Sequence, residues 1–441
     1  MSRKTTRRHS QGDASRLAIL DATLRIAGQR GYVGTTMAQV TRASGLPASS
    51  VYWHFGNKDE LLAEALDHGF TQWDSTVPPW GDLDTERPRE DELLAQMEAI
   101  TRTLDEEPGF WRMGLLIALE TGPHVGSAPR ERFVAVRRRA LARVADWWRR
   151  SLAADREPSE TDDPTIAEHA RTLSLLTLVA MDGLFLAHQS DHDEDLGPLL
   201  RLAAAGLDAA ALRLSEGIDA SRPTRSAPTP PRVLADPDSS RIRLLEAAAV
   251  VAAESGYEGA SISRICERAG LPASSLYWHF RDKDDLLAAV IEHSYQEWFL
   301  AQPAWLPPEP GTPWEDALRA HFAVSLRSLS DSPLFLRMGH LLLLLQRENP
   351  PAARARFVAV RRQARLVTQA WYADVLDADA DPALPEAMSL LSMVLSDGLF
   401  FSNQIDEPTW DVAIFVELVV SMLAAAADRT LLLDERTPAR P

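Results

Sequence analysis

The residues best equipped for chemistry are an aromatic triplet followed by a lysine, and the arrangement occurs twice: Tyr52, Trp53 and His54 with Lys58, and Tyr277, Trp278 and His279 with Lys283. A phenol, an indole N–H and an imidazole can all donate hydrogen bonds to phosphate oxygens, and the lysine adds a compact positive charge. Three consecutive aromatics cannot all point into a core from one helix, so part of each triplet must face solvent or a partner. Phe55 and Phe280, next in line, are the expected core anchors. Small residues precede each triplet, Ala48-Ser49-Ser50 and Ala273-Ser274-Ser275, so a helix starting there can bring its N-terminus close to base edges and phosphates. Lysine usage sharpens the pattern: the chain's lysines are Lys4, Lys58 and Lys283, and every other basic side chain is arginine.

Other chemistries find less support. There is no glycine-rich phosphate loop, no nucleophile-elbow pattern and no repeated carboxylate pair, so no catalytic residue is nominated and no cofactor is expected. The single cysteine, Cys266, excludes an intramolecular disulfide framework and any multi-cysteine metal site, and reads as a small buried filler. His188 and His192 with Asp191 and Asp193 have a spacing that could bind metal, but they sit at a polar helix end before Gly197-Pro198 and read as a solvated loop. No metal site is nominated.

The elements that must position the triplets emerge when the sequence is slid along itself until Leu46 meets Leu271. Residues 46–62 read LPASSVYWHFGNKDELL and residues 271–287 read LPASSLYWHFRDKDDLL. Gly31-Tyr32 then meets Gly256-Tyr257, Trp73 meets Trp298, Trp80 meets Trp305, and Phe110-Trp-Arg-Met-Gly114 meets Phe335-Leu-Arg-Met-Gly339. With small shifts Arg132-Phe-Val-Ala-Val-Arg-Arg138 recurs from Arg356 and Asp182-Gly-Leu-Phe185 from Asp397. The chain is a tandem duplication.

Each copy reads as helical throughout. Leu17, Leu20, Leu24 and Ala27 share a face, as do Ile242, Leu245, Ala249 and Ala252. Thr36 begins a short helix, with Gln39 placed for a capping box, and Ser261 takes the same place in the second copy. Gly45 and Gly270 end that helix, and Pro47 and Pro272 suit the opening of the next. Longer apolar-periodic segments follow, including 92–104, 130–152, 165–188 and 196–214, and no alternating run reads as a strand. The expected fold class is all-α. Its expected organisation is a disordered basic tail (1–14), a helix-turn-helix head (15–62), a helical domain (63–216), a proline-rich linker (217–238), a second head (239–287), a second helical domain (288–433) and a tail (434–441).

The pattern Thr36…Gly45-Leu46…Tyr52-Trp53-His54-Phe55…Lys58-Asp-Glu-Leu-Leu62 resembles the N-terminal domain of TetR/AcrR-type transcriptional regulators, and it recurs from Ser261 to Leu287. The resemblance implies a three-helix DNA-binding unit, a larger helical domain for effector binding and dimerisation, and release from DNA on binding a small molecule. Carried over residue by residue, the implied contacts to a double-stranded operator are Thr36, Ala48, Ser49, Ser50, Tyr52, Trp53, His54 and Lys58, with Ser261, Ala273, Ser274, Ser275, Tyr277, Trp278, His279 and Lys283 in the second copy. Proline at Pro47 and Pro272 and serine at Ser49 and Ser274 depart from the family's usual serine and glycine. Because the family acts as dimers of one-copy chains, the simplest expectation is an internal pseudo-dimer reading a near-palindrome, the alternative being two chains with four heads. Helices over 165–188, 196–214, 385–401 and 410–427 are expected to build the copy–copy interface as a four-helix bundle. Trp111, Met113, Leu116, Trp147 and Phe185, with Leu336, Met338, Trp371 and Phe400, are candidates to line pockets for a small apolar effector, against the plainer reading as core. Asp182 and Asp397, each before a glycine inside an apolar helix, need a partner, for which an internal hydrogen bond is preferred over a ligand. The repeated Arg132–Arg138 segment reads as a solvated helix face.

Length and charge fit this reading. The 441 residues suffice for two to four domains, and 46 basic against 63 acidic residues give a net charge of −17. That sign looks wrong for a nucleic-acid partner until its distribution is read: the first head, with Arg16, Arg25, Arg30 and Arg42, is net basic, whereas the second, with Glu246, Glu254, Glu258 and Glu267, is net acidic. The apolar stretch 412–427 carries Glu417 and falls short of the roughly 20 residues that span a bilayer, so a cytoplasmic protein without a membrane partner is expected. The competing reading is a helical ligand sensor or protein-interaction module whose second head no longer reads DNA.

Overall fold

A computed structural model describes residues 2–76, 80–81, 83–104, 109–120, 125–154, 164–190, 196–218, 239–331, 333–346, 349–376, 381–406 and 411–429. The expected linker apart from Gly217 and Ile218, the 434–441 tail and the Asp191–His192–Asp193 segment lie outside the described residues. The fold is all-α, with no strand among the described residues.

The first copy comprises α1 (Ser2–Arg30), α2 (Met37–Ser44), α3 (Ala48–His54), α4 (Lys58–Thr76), α5 (Arg89–Thr101), α6 (Gly109–Leu119), α7 (Ser127–Ala154), α8 (Pro164–Ser190) and α9 (Gly197–Glu216). The second repeats the order as α10 (Ser240–Gly259), α11 (Ile262–Ala269), α12 (Ala273–His279), α13 (Lys283–Ala301), α14 (Trp314–Ser330), α15 (Leu334–Leu344), α16 (Ala352–Val375), α17 (Leu384–Ile405) and α18 (Val412–Ala427). One expectation needs correction. The 1–14 segment is continuous helix from Ser2 onward rather than a disordered tail. It holds no proline and only Gly12, so nothing in it stops a helix nucleated by the packed turns that follow.

The heads are set by local signals. The Gln39 N–H donates to Thr36 Oγ1 at 3.3 Å while the Thr36 N–H donates to Gln39 Oε1 at 2.9 Å, a complete capping box that fixes the start of α2. Gly45 (φ 68°) and Gly270 (φ 62°) end α2 and α11 in the left-handed conformation, which turns the chain into the next helix. Val40, Val51, Phe55 and Leu62 are fully buried with Ile19 and Leu20 of α1, and Phe280 is buried in the second head, so both phenylalanines are the anchors expected of them.

The repeated motifs outside the heads pack on one another. Phe133 of α7 lies over Gly114 of α6, where a Cβ would come within 2.0 Å of its ring, and Phe357 lies over Gly339 in the same way at 2.1 Å. The two copies meet through α8, α9, α17 and α18, as expected. At the centre α8 crosses α17 backbone to backbone: a Cβ on Gly183 would sit 1.9 Å from the Val394 carbonyl oxygen, and one on Gly398 would sit 1.8 Å from that of Val179. Each glycine meets the counterpart of the residue its own twin meets, the signature of a twofold contact formed here within one chain. α8 and α17 are also long and apolar enough to cross a membrane by length and composition, but 78% and 83% of their apolar windows are buried, largely against each other and against α7 and α16.

Candidate nucleic-acid interface and ligand cavities

α3 and α12 each present the same face. Buried Val51 and Phe55, or Leu276 and Phe280, hold the helix down, which leaves Tyr52 (56% exposed) and Trp53 (78%), or Tyr277 (57%) and Trp278 (85%), standing in solvent. Large aromatics so exposed, in duplicate, are what a partner surface looks like. Ala48 and Ser49, Ala273 and Ser274, and the caps Thr36 and Ser261 are exposed beside them, while Ser50, Ser275, His54 and His279 are half-buried. His54 sets its ring edge-on to Trp53 at 4.6 Å, and His279 Nε2 lies 2.7 Å from Ser240 Oγ at the start of α10.

The lysines sit differently from the sequence reading. Lys58 is half-buried with Nζ 4.0 Å from the Tyr32 ring centroid, and Lys283 donates to the Tyr257 carbonyl at 3.0 Å over that ring. Each is the first residue of its helix, and packing aims it at the turn that closes α1 or α10. Tyr32 in turn donates to Asp59 at 2.5 Å, and Tyr257 to Asp284. The cation and its neighbouring carboxylate therefore brace the head as well as facing its flank.

Each helical domain holds a cavity beside the repeated motifs, about 90 Å³ in the first copy and about 130 Å³ in the second. Of the nominated pocket residues, Trp111 lines the first and Leu336 the second. Met113, Leu116, Trp147, Phe185, Met338, Trp371 and Phe400 are buried and line neither of these two cavities. Phe185 stacks on Trp111 at 5.0 Å, and Trp371 stands 5.2 Å from the cavity-lining Trp305, so both back the wall rather than form it.

The family model described as "Bacterial regulatory proteins, tetR family" matches the chain at residues 19–65 and 244–290, one match per head. The HTH-type transcriptional regulator AcrR of Shigella flexneri is 30% identical over 86 residues, 20% of this chain and 35% of that one. SrpR of Pseudomonas putida, another HTH-type transcriptional regulator, is 31% identical over 100 residues, 23% of this chain and 45% of that one. TtgW, an uncharacterized HTH-type transcriptional regulator also from Pseudomonas putida, is 31% identical over 100 residues, 23% of this chain and 71% of that one. The chain belongs to the TetR family. It carries the family's head twice, and it spans about a third of AcrR's length and under half of SrpR's.

Three functional groups of this TetR-family chain escape a sequence reading. Arg137 and Arg361, expected on a solvated face, are buried: Arg137 pairs with Asp182 at 2.7 Å and with Asp406 of the other copy at 2.9 Å, and Arg361 pairs with Asp397 at 2.7 Å. These are the internal partners the buried carboxylates required. Burial alone would raise the Asp397 carboxyl, but Arg361 and His340 beside it hold it well below the usual carboxylate range. The third is Glu120, at the end of α6. It accepts the Tyr32 N–H at 2.6 Å and the Val33 N–H at 3.3 Å, which ties the first head to the helical domain. Burial pushes its carboxyl up to about 7, against the lowering effect of those N–H groups and of Lys58. The only signal in the sequence is that its counterpart in the second copy is Leu345.

Proposed function

We propose that the chain is a DNA-binding transcriptional regulator that reads a near-palindromic operator with α3 and α12 and acts as its own dimer. The observation that carries this is the pairing of two exposed Tyr-Trp-His faces in one chain through a twofold-like four-helix interface. Thr36, the serines of α3 and the aromatic triplet contact DNA in the first head, and their counterparts do so in the second, while Lys58 and Lys283 brace the flanks. We further propose repression relieved by small, mostly apolar effectors in the two cavities, in the cytoplasm and without a catalytic step. The names of AcrR, SrpR and TtgW as HTH-type transcriptional regulators support the regulatory part of this reading.

Footprinting on genomic fragments, beginning with the DNA upstream of the gene, tests it. A single near-symmetric protected stretch of roughly two helical turns, with half-sites about 34–36 Å apart or a little more, is the expected outcome. Protection twice as long indicates two chains with four heads. Failure on every fragment would sink the reading and favour a ligand sensor without DNA.

A further inference from the structure

The two cavities occupy equivalent places and keep the same buried frame, Arg137 with Asp182 in one and Arg361 with Asp397 in the other. Around that frame the walls have parted: the first cavity's Asp74 and Arg143 correspond to Phe299 and Val367, while four apolar positions gain polar groups. Where the first cavity has Phe70, the second has Tyr295; Ile100 is replaced by Ser325, Val144 by Thr368, and Met181 by Ser396. The second cavity also gains an imidazole, His321, whose counterpart in the first copy, Gln96, does not line the first cavity. Smaller side chains at three of these positions, together with Leu336 for Trp111, account for its larger volume.

The polar groups of the second cavity are incompletely used. The hydroxyl protons of Ser325, Thr368 and Ser396 go to helix carbonyls at 3.1, 3.1 and 2.8 Å, which leaves lone pairs able to accept. Tyr295 Oη and His321 Nδ1 are buried with no hydrogen-bond partner among the described residues, a condition that costs on the order of 1–3 kcal/mol for each group. His321 stacks on Trp305 with ring centroids 3.6 Å apart, and burial pushes its imidazole down to about 3, so it is neutral. With Arg361 balanced by Asp397, the cavity offers no net charge to a ligand. Its Trp298, Trp305 and Phe335 walls suit a flat ring, and a cavity of roughly 150 Å³ accommodates a benzene-sized guest.

We propose that the second cavity, and not the first, binds a neutral single-ring phenol. The ring lies among the aromatic walls. The hydroxyl, which can donate and accept at once, meets the Tyr295 phenol and His321 Nδ1, whichever tautomer the imidazole adopts. The first cavity, smaller and lined instead by the Asp74–Arg143 ion pair, lacks the tyrosine and the imidazole that would meet such a group. This deepens the effector part of the proposed function by naming a ligand class for one copy.

The test is calorimetric titration of the full chain, without DNA, with phenol and with toluene. One phenol per chain is expected, bound about tenfold more tightly than toluene. Tyr295→Phe restores the first copy's residue and should weaken phenol by about three- to tenfold while leaving toluene unchanged, which also shows the cavity intact. Equal affinity for phenol and toluene, two equivalent phenols per chain, no effect of Tyr295→Phe on phenol, or water alone in the cavity at millimolar phenol would each overturn the proposal. Because DNA is absent, a chain that binds phenol but no operator refutes the regulator reading alone, and one that binds operator but not phenol refutes this inference alone.

Discussion

Placing a methyl group on Gly183 tests the copy–copy interface at its tightest point. The new Cβ would lie 1.9 Å from the Val394 carbonyl oxygen, and the mirror change, Gly398→Ala, would put one 1.8 Å from that of Val179. The obstacle in both cases is helix backbone, which cannot swing aside as a side chain can. Reaching an ordinary contact requires α8 and α17 to part by on the order of 1 Å, and a gap of that size forfeits a quarter to a half of each dispersion contact it crosses. Overpacking of this kind costs about 1–3 kcal/mol, and the rigid obstacle places each single variant near the top of that range. One separation relieves both clashes, so the double variant should cost little more than either single variant rather than their sum. Urea unfolding of the four proteins measures this, and small-angle scattering reports whether the copies have shifted. Two costs that add, or single variants within about 0.5 kcal/mol of the parent, would refute the proposed backbone-to-backbone crossing.

Trp53→Ala and Trp278→Ala should leave stability within about 0.5 kcal/mol, because both rings stand in solvent, yet each should weaken operator binding about tenfold in a mobility-shift titration; unchanged binding for both would remove α3 and α12 as reading heads. Asp397→Asn should destabilise the second copy by about 3–5 kcal/mol, and the double replacement Arg361→Met/Asp397→Leu should recover much of that loss in urea melts; a double variant worse than the single one contradicts the account of the pair. Glu120 gives a pH dependence of known sign. Its folded carboxyl titrates near 7, above its ordinary value of 4.5, so its contribution is complete below that ordinary value and is lost as pH rises through about 7. Glu120→Gln should therefore flatten the fall in melting midpoint between about pH 5 and pH 8, and parallel pH profiles for parent and variant would disprove it.

The heads were legible because their signals are local. A threonine with glutamine in the capping-box position, a glycine at the turn and an aromatic run too dense to bury can all be read within a few residues, and they dictate where α2 stops and what α3 exposes. The four-helix interface was legible through the family resemblance, with which the apolar helices recurring in both copies are compatible. What stayed hidden depends on contacts between distant helices. A run such as Arg137-Arg138-Arg139 does not say which guanidinium turns inward, because that follows from how α7 lies on α8 and where Asp182 falls. Likewise Met113 and Trp111 are both apolar residues of α6, but only the stripe carrying Trp111 faces the void. Glu120 lacks any motif, and its role arises only when the end of α6 meets the turn after α1.

Joining both copies in one chain changes what the interface must do. Pairing becomes intramolecular, so it does not weaken on dilution as association between separate chains does. It also removes the rule that every substitution in a symmetric dimer appears on both sides of the axis. The copies stay matched where matching is required: Gly183 with Gly398, Val179 with Val394, and the Tyr-Trp-His triplets of α3 and α12. They part where each acts alone, with Glu120 against Leu345 at the joint between head and domain, and Phe70 against Tyr295 in the cavity. On the proposed function, divergence at the cavities and joints, beneath a paired interface, would give one operator-reading surface two unlike inputs. A ligand in either cavity could then shift the shared interface, and the chain would report on two chemistries at a single site.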